Sequence, residues 1–146
     1  MNQQDFIKAT GDVTLVLRGP DGQIKDTQEI KNLVVTTGKN FIAGRMTGTT
    51  TIMSHMAIGS TATAAAAGDT ALGGELGRVV LSSGTTTGAV TTYAATFPVG
   101  TGTGAVVEAG LFNASSAGTM LARTTFAVVN KGANDTVTIT WAVTIS

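Results

Sequence analysis

Apolar and polar residues alternate most regularly in the last part of the chain, over residues 136–145. One side of this run carries Val137, Ile139, Trp141, Val143 and Ile145, and the other carries Thr136, Thr138, Thr140, Ala142 and Thr144. Because successive side chains of a β-strand point to opposite faces, the run predicts a strand with one apolar face and one threonine-rich face. Threonine suits the outer face because its branched stem fits the pleat while its hydroxyl stays hydrated. We therefore expect Trp141 to lie in the core.

A second alternating run covers residues 12–18, near the start of the chain. It ends at Gly19–Gly22, a Gly-Pro-Asp-Gly sequence typical of a β-turn because proline occupies its second position and glycine its last. Another run follows this turn and leads into the apolar residues 33–35. The two runs and the turn between them predict a β-hairpin.

A short helix is predicted next, within residues 36–46. Thr37 is placed to cap its first turn, since a threonine hydroxyl accepts hydrogen bonds from the free N–H groups there. The helix presents Phe41, Ile42 and Met46, and we expect these three side chains to face inward.

Strand patterns separated by turns fill the rest of the chain. Ile52, Met56 and Ile58 alternate on one face, whereas residues 59–74 and 84–88 predict loops. The later candidate strands cover residues 78–81, 89–97, 105–113, 120–129 and 136–145. Short strands at such intervals, joined by glycine-rich turns, favour an all-β fold. We predict a jelly-roll-like β-sandwich of about eight strands with one short helix.

The length of 146 residues fits one domain. We assign residues 12–146 to a single β-sandwich domain and residues 1–11 to a flexible N-terminal arm, because the arm has too little apolar surface to order by itself. The chain contains 27 Thr, 20 Ala and 19 Gly, close to half of all its residues. This composition is unlike that of an ordinary enzyme.

The charges balance, with 9 Lys and Arg against 9 Asp and Glu, and 11 of these 18 lie in residues 1–45. Binding to nucleic acid needs a clustered basic excess, so we expect no nucleic-acid partner. The absence of cysteine excludes disulfides, cysteine-ligated zinc and thiol catalysis. The sequence shows no secretory signal and no apolar run of membrane-spanning length, so we expect a soluble, unexported protein without a membrane partner.

His55 is the single histidine and therefore the single candidate for imidazole chemistry. Its neighbour Ser54 is expected to project from the opposite face of a strand, which would prevent a hydrogen bond between nucleophile and base. Asp26 and Glu29 are three residues apart on a strand, which also puts them on opposite faces and disfavours a paired-carboxylate site. We interpret His55 as structural and expect no catalytic residue, no metal site and no cofactor-binding site.

Two further segments have alternative interpretations. Gly100–Gly104 precedes a strand pattern rather than a helix, so it predicts a hairpin loop instead of a phosphate-binding loop. Tyr93 and Trp141 are candidates for a platform on which a sugar ring stacks, although two aromatic residues on separate strands are more often core anchors. A carbohydrate-binding module stays as an alternative function.

Several segments together resemble the small β-rich structural proteins of tailed-bacteriophage virions. They are Asn32–Lys39, Ile42–Met46, Met56–Ser60, Asp69–Leu72, Glu75–Arg78, Tyr93–Phe97, Val107–Asn113, Val129–Thr136 and Thr138–Trp141. The resemblance covers roughly residues 30–146, and it extends to capsid decoration (cement) proteins and to tail-fibre or collar modules. The resemblance implies a structural, non-enzymatic role, so it assigns no catalytic residue to this chain.

Two features favour the capsid decoration protein over the tail module. We expect no shaft or tail-docking extension after the last strand, and zero net charge removes the long-range repulsion that opposes dense packing of copies on a shell. The resemblance then implies a protein made in the host cytoplasm and located in the virion, on the capsid surface. There it binds the major capsid protein and stabilises the mature capsid. A tail-fibre or collar structural module is the alternative.

We place the shell contact on the charged N-terminal third of the chain. The candidate contact residues are Phe6, Ile7, Lys8, Lys25 and Lys31. The first two are the apolar residues of the arm, which gains order by lying along a partner. Self-association is expected too, for two reasons: the outer faces of the strands are rich in threonine and alanine, and after residue 45 we expect no inward-pointing or edge charges of the kind that prevent strands from pairing with another chain. A homodimer is favoured over a trimer.

Overall fold

The structure of the protein is a computed structural model that describes residues 6–146. These residues form ten β-strands and one α-helix, and the strands make two antiparallel five-stranded sheets that lie face to face. In chain order the elements are β1 (Ala9–Arg18), β2 (Ile24–Lys31), β3 (Leu33–Val34), α1 (Thr36–Arg45), β4 (His55–Gly59), β5 (Glu75–Val80), β6 (Ser83–Thr87), β7 (Val90–Phe97), β8 (Gly104–Phe112), β9 (Met120–Lys131) and β10 (Thr136–Ile145). The predicted all-β sandwich with one short helix is confirmed, with ten strands in place of about eight.

Strands that follow each other along the chain often pair within one sheet. The first sheet has the order β2-β1-β10-β7-β6, and the second has the order β3-β9-β8-β4-β5. The chain crosses between the sheets after β2, β5, β7 and β9. The last strand, β10, lies in the middle of the first sheet, where β1 and β7 pair with its two edges.

The main core lies between the sheets, and its largest side chain is the indole of Trp141, which is fully buried. Trp141 stands opposite Tyr93 in the ladder between β10 and β7. Val137, Ile139 and Val143, the neighbours of Trp141 on the inward face of β10, are buried as well. The predictions that β10 has one core face and that Trp141 belongs to it are confirmed.

The helix α1 lies within the predicted segment, starting at Thr36, and packs against β9. The predicted cap is wrong, because the Thr37 hydroxyl donates a hydrogen bond to the carbonyl oxygen of Met120, 2.9 Å away, and no side chain caps the helix. Phe41 is buried as predicted. Met46 is exposed rather than inward-facing, because the helix ends just before it.

The strand β6 replaces the loop predicted at residues 84–88. It pairs with β7 through a two-residue turn formed by Gly88 and Ala89. Gly88 has a φ of 60°, which glycine adopts without the steric penalty of a side chain and which is typical of the first central position of a type II′ turn. The strand forms although its residues, Ser83–Thr87, have no apolar alternation of their own.

Residues 60–74 connect β4 to β5 and cover the outer face of the second sheet. Leu72 of this loop packs against a small apolar cluster on that face. The cluster consists of Val35, Ala57, Phe112 and Met120. The loop predicted in this region is confirmed. Met56 and Ile58 face the main core as expected, whereas Ile52 lies before β4 and is exposed.

The sandwich begins earlier than the predicted boundary at residue 12. Residues 9–11 belong to β1 and pair with the end of β10. Just before them, the backbones of Lys8 and Ser146 exchange two hydrogen bonds of 2.7 and 2.8 Å. Residues 1–5 of the predicted arm lie outside the described residues. The helix within residues 6–146 falls short of the length and apolar character that crossing a membrane requires.

Candidate functional site

The predicted contact residues Phe6 and Ile7 project from one end of the first sheet. Their side chains are 76% and 79% exposed. They directly precede Lys8, whose backbone hydrogen bonds with Ser146 fix the chain to the sheet. Two apolar side chains therefore stand in solvent next to a rigid attachment point.

The two predicted contact lysines of β2 lie apart from each other. Lys31 ends the strand and forms an ion pair with Asp12, which stands opposite it in β1. Lys25 lies six residues earlier in the same strand, about 20 Å away along an extended chain. The structure therefore places Phe6, Ile7 and Lys31 toward the start of β1 and leaves Lys25 at the far end.

Lys25 belongs to a charged cluster at the turn between β9 and β10. Its ammonium group donates hydrogen bonds to both carboxylate oxygens of Asp135, at 3.1 and 3.0 Å. The backbone N–H of Gly132 donates to the same carboxylate. These hydrogen bonds, that of Lys25 first, hold the pKa of Asp135 below its usual value. Lys25 thus holds a turn of its own chain.

Lys131 lies buried beneath the same turn. Its ammonium group donates to the carbonyl oxygens of Pro98 and Asp135, at 2.9 and 2.8 Å. Burial lowers the pKa of Lys131, and the nearby carboxylate of Asp135 opposes part of that shift. The expectation that no charge points inward after residue 45 is wrong, because Lys131, Asp135, Glu108 and Arg123 are all buried with polar partners.

Glu108 and Arg123 form a second charged cluster, on the outer face of the second sheet and under the loop between β4 and β5. Arg123 Nη2 lies 3.0 Å from Glu108 Oε1. The Glu108 carboxylate also accepts hydrogen bonds from the backbone N–H groups of Thr61, Gly73 and Gly74, at 2.9, 3.0 and 2.8 Å. The backbone N–H groups of the loop and the guanidinium of Arg123 thus supply the hydrogen bonds that water would otherwise donate to this carboxylate.

Arg123 binds the same loop at other points. Its guanidinium donates to the carbonyl oxygens of Thr61 and Thr63, at 3.3 and 2.9 Å, and pairs with the Asp69 carboxylate at 3.0 Å. Because these groups are all engaged in holding the loop, the cluster is a clamp rather than an acid–base site. Sequence reasoning missed it, and the available signal is a lone glutamate, Glu108, in the apolar run of β8.

His55 begins β4, and its Nδ1 lies 2.7 Å from Ser54 Oγ, within hydrogen-bonding distance. The expectation that the two side chains project apart is wrong, because Ser54 lies just outside the strand and its short side chain turns toward its neighbour. A nucleophilic pair also needs a third group that orients the histidine. Within residues 6–146, the contact with Ser54 is the one side-chain hydrogen bond of His55.

Tyr93 and Trp141 do not form an exposed platform. Trp141 is fully buried and Tyr93 is partly buried, and burial raises the pKa of the Tyr93 hydroxyl. A sugar ring stacks on an accessible aromatic face, which the buried indole does not offer. In the described part of the chain, no three His, Asp or Glu side chains come together in a way that would hold a metal ion.

An apolar groove of about 630 Å³ opens between the sheets at the edge formed by β5 and β6; we call it the edge groove. Its apolar wall includes Phe41, Met53, Leu81, Tyr93, Leu121 and Val143. Ile52 and Val80 stand at its mouth and are 61% and 66% exposed. Ser83, Gly84 and Thr86 of β6 form the wall nearest the sheet edge.

Comparisons of the chain with protein-family models, with curated proteins and with solved structures found no match. Two features of the described surface are suited to contact with another macromolecule. One is the exposed apolar pair Phe6 and Ile7 at one end of the first sheet, just before β1, and the other is the edge strand β6 with the edge groove.

Proposed function

We propose that the protein is a bacteriophage capsid decoration protein, which binds the outer surface of the major capsid protein shell and stabilises the mature capsid. The exposed pair Phe6 and Ile7 carries the proposal, because two large apolar side chains in solvent, next to the point where Lys8 is fixed to the sheet, are suited to docking on a partner. The resemblance of residues 30–146 to virion structural proteins supports the same function. The charged clusters described above serve the protein's own fold, which agrees with a structural role.

The energetics suit a protein that binds in many copies. Burying Phe6 and Ile7 against the shell contributes about 3 to 5 kcal/mol before the cost of ordering the arm. A protein that binds only the assembled shell stabilises that state by its own binding free energy. Modest affinity for each copy therefore adds up to substantial reinforcement of the whole capsid.

Charge plays the smaller part in this contact. The Lys31 and Asp12 side chains are mostly exposed, so their ion pair contributes little to stability and is screened by salt. Lys31 is therefore free to exchange Asp12 for a carboxylate on the shell at little cost. Lys25 is bound to Asp135 and is not part of the proposed contact, although the sequence suggested it.

The proposal is tested by adding the purified protein to shells that lack it and counting the copies bound. We expect the double substitution Phe6→Ser with Ile7→Ser to weaken shell binding by about tenfold or more, because it removes the apolar anchors. Ile24→Ser is the matched control, since Ile24 is also an exposed apolar residue but lies at the far end of β2. Equal occupancy by the double variant and the control would remove the arm from the contact.

Two further measurements separate the alternatives. Occupancy in a salt series distinguishes apolar from charged contacts, because only the charged contacts weaken as salt rises. Electron microscopy of virions carrying gold-labelled protein locates the binding site. Label on the capsid supports the proposal, whereas label on the tail would favour a tail-fibre or collar module.

A further inference from the structure

The two edges of the first sheet differ sharply in charge. At one edge, β2 has four charged side chains among its eight residues: Lys25, Asp26, Glu29 and Lys31. At the other edge, β6 has the sequence Ser-Gly-Thr-Thr-Thr and carries no charge. Charged side chains on an edge strand oppose pairing with another chain. The β2 edge is therefore protected against strand pairing, and the β6 edge is not.

The strand β6 is also accessible. All five of its residues, Ser83–Thr87, are exposed. Within residues 6–146, β7 is the one strand that pairs with it. The N–H and C=O groups on the outer side of β6 therefore face away from the sheet and are available to a further strand.

We propose that β6 pairs with the β6 strand of a second copy of this chain, so that the first sheets of the two copies join into one continuous antiparallel sheet. Antiparallel pairing of a strand with itself is self-complementary, which is what a two-fold symmetric dimer requires. The two-fold axis passes near Thr85, the central residue of β6. Thr85 then stands opposite the Thr85 of the second copy, a threonine pair that stabilises sheets, while Gly84 faces Thr86 and Ser83 faces Thr87.

The edge groove gives a second copy bound at this edge further apolar surface to contact. One strand pair buries less than the roughly 1,200 to 2,000 Å² of a typical stable interface, so a stable dimer needs additional contacts. The edge groove lies beside β6, with the exposed side chains of Ile52 and Val80 at its mouth. A second copy aligned along β6 covers this mouth and buries the same apolar side chains from both copies. Zero net charge adds no long-range repulsion between the two copies.

This interface and the proposed shell contact use different residues. Phe6 and Ile7 precede β1, and in the first sheet β10 and β7 lie between β1 and β6. The dimer does not depend on shell binding. It is testable with the purified protein in the absence of any shell.

The test measures the mass of the protein in solution by analytical ultracentrifugation, up to roughly 100 µM. We expect wild-type dimers, and we expect Thr85→Lys and Thr85→Glu each to weaken dimerisation by about tenfold or more, because two like charges then stand opposite each other. An equimolar mixture of the two variants pairs opposite charges and should restore the dimer. Thr140→Lys is the matched control, since Thr140 is exposed in the central strand β10, away from both edges.

The outcomes are decisive. Thermal unfolding checks that each variant is folded, and the double substitution of Ser83 and Thr87, to Lys or to Glu, replaces any Thr85 variant that is not, because residues 83 and 87 face each other across the axis. Loss of the dimer in both single variants, with recovery in the mixture and no change in the control, supports pairing through β6. A wild-type monomer or trimer, a dimer unaffected by either charge, or a failure of the mixture to recover would overturn it. None of these results depends on shell occupancy.

Discussion

Arg123 and Glu108 form a buried ion pair, with 3.0 Å between Arg123 Nη2 and Glu108 Oε1 and with side chains only 3% and 0% exposed. Removing two charges from water is costly, and their mutual attraction offsets that cost only when further hydrogen bonds satisfy both groups. Backbone N–H and C=O groups of the loop between β4 and β5 supply those hydrogen bonds. The pair and the loop are therefore mutually dependent.

The first prediction concerns this ion pair. We expect Glu108→Ala to lower the free energy of unfolding by about 3 to 5 kcal/mol, because it leaves the Arg123 charge buried without its partner. Urea denaturation measures the change. Asp12→Asn is the control, since it breaks the exposed pair with Lys31 and should leave stability nearly unchanged. If both variants lowered the free energy of unfolding by a similarly small amount, the buried pair would not be what holds the loop between β4 and β5 in place.

Trp141 gives the second prediction. Truncating this indole leaves a large cavity between the sheets, so we expect Trp141→Ala to cost about 3 to 5 kcal/mol of stability. Thr140→Ala, one residue away on the outer face of the same strand, should have little effect. A Trp141→Ala protein that kept its melting temperature but lost the ability to bind a sugar would instead favour the carbohydrate-binding alternative.

The third prediction rests on Gly38. Alanine in place of glycine usually stabilises a helix interior by about 1 kcal/mol. A Cβ at Gly38 would overlap the carbonyl oxygen of Leu121, because α1 lies so close to β9. We therefore expect Gly38→Ala to destabilise the protein by about 1 to 3 kcal/mol. Gly68→Ala, where no atom lies within 4 Å of the added carbon, is the control; a stabilised Gly38→Ala protein would contradict this account.

The fourth prediction is a dependence of stability on pH. Because the folded-state pKa of Asp135 lies below its usual value of 3.8, the carboxylate contributes stability above that pH, and the contribution is lost as the pH falls through the folded-state pKa. We expect the free energy of unfolding to decrease on acidification below about pH 4, and to decrease less in Asp135→Asn. Urea unfolding between about pH 2 and 7 provides the measurement.

For this pH series, Asp21→Asn serves as the charge-matched control, because Asp21 lies in the exposed turn between β1 and β2. It should keep the acid dependence of the wild type. Equal acid dependence in wild type, Asp21→Asn and Asp135→Asn would assign the effect to other carboxylates.

The fifth prediction addresses the pair formed by Ser54 and His55. If the protein has a structural role, this hydrogen bond carries no chemistry. We expect His55→Ala to leave shell occupancy unchanged in a protein that still folds. Loss of any activity in a folded His55→Ala protein would point to an enzymatic function and contradict the proposal.

The parts of the fold that follow from local pattern could be predicted from the sequence. The faces of β10 are an example, because the direction of each side chain depends on its position along the strand alone. By contrast, β6 could not be predicted from Ser83–Thr87, since its strand conformation comes from pairing with β7 across the turn at Gly88.

The charged clusters could not be predicted for a different reason. Glu108 and Arg123 lie on the outer face of a sheet, which usually meets water. They are buried only because residues 60–74 fold over that face. No local pattern reveals that a distant loop covers a strand, so a composition low in charge suggested a charge-free interior instead.

The Glu108 carboxylate also imposes an order on folding. Its hydrogen-bond donors in the loop are distant along the chain: Glu108 lies 34 residues after Gly74 and 47 residues after Thr61. Contacts between such distant positions form slowly, because a long stretch of chain must first be brought together. We therefore expect the loop to close late in folding, once β8 and β9 have brought Glu108 and Arg123 into place.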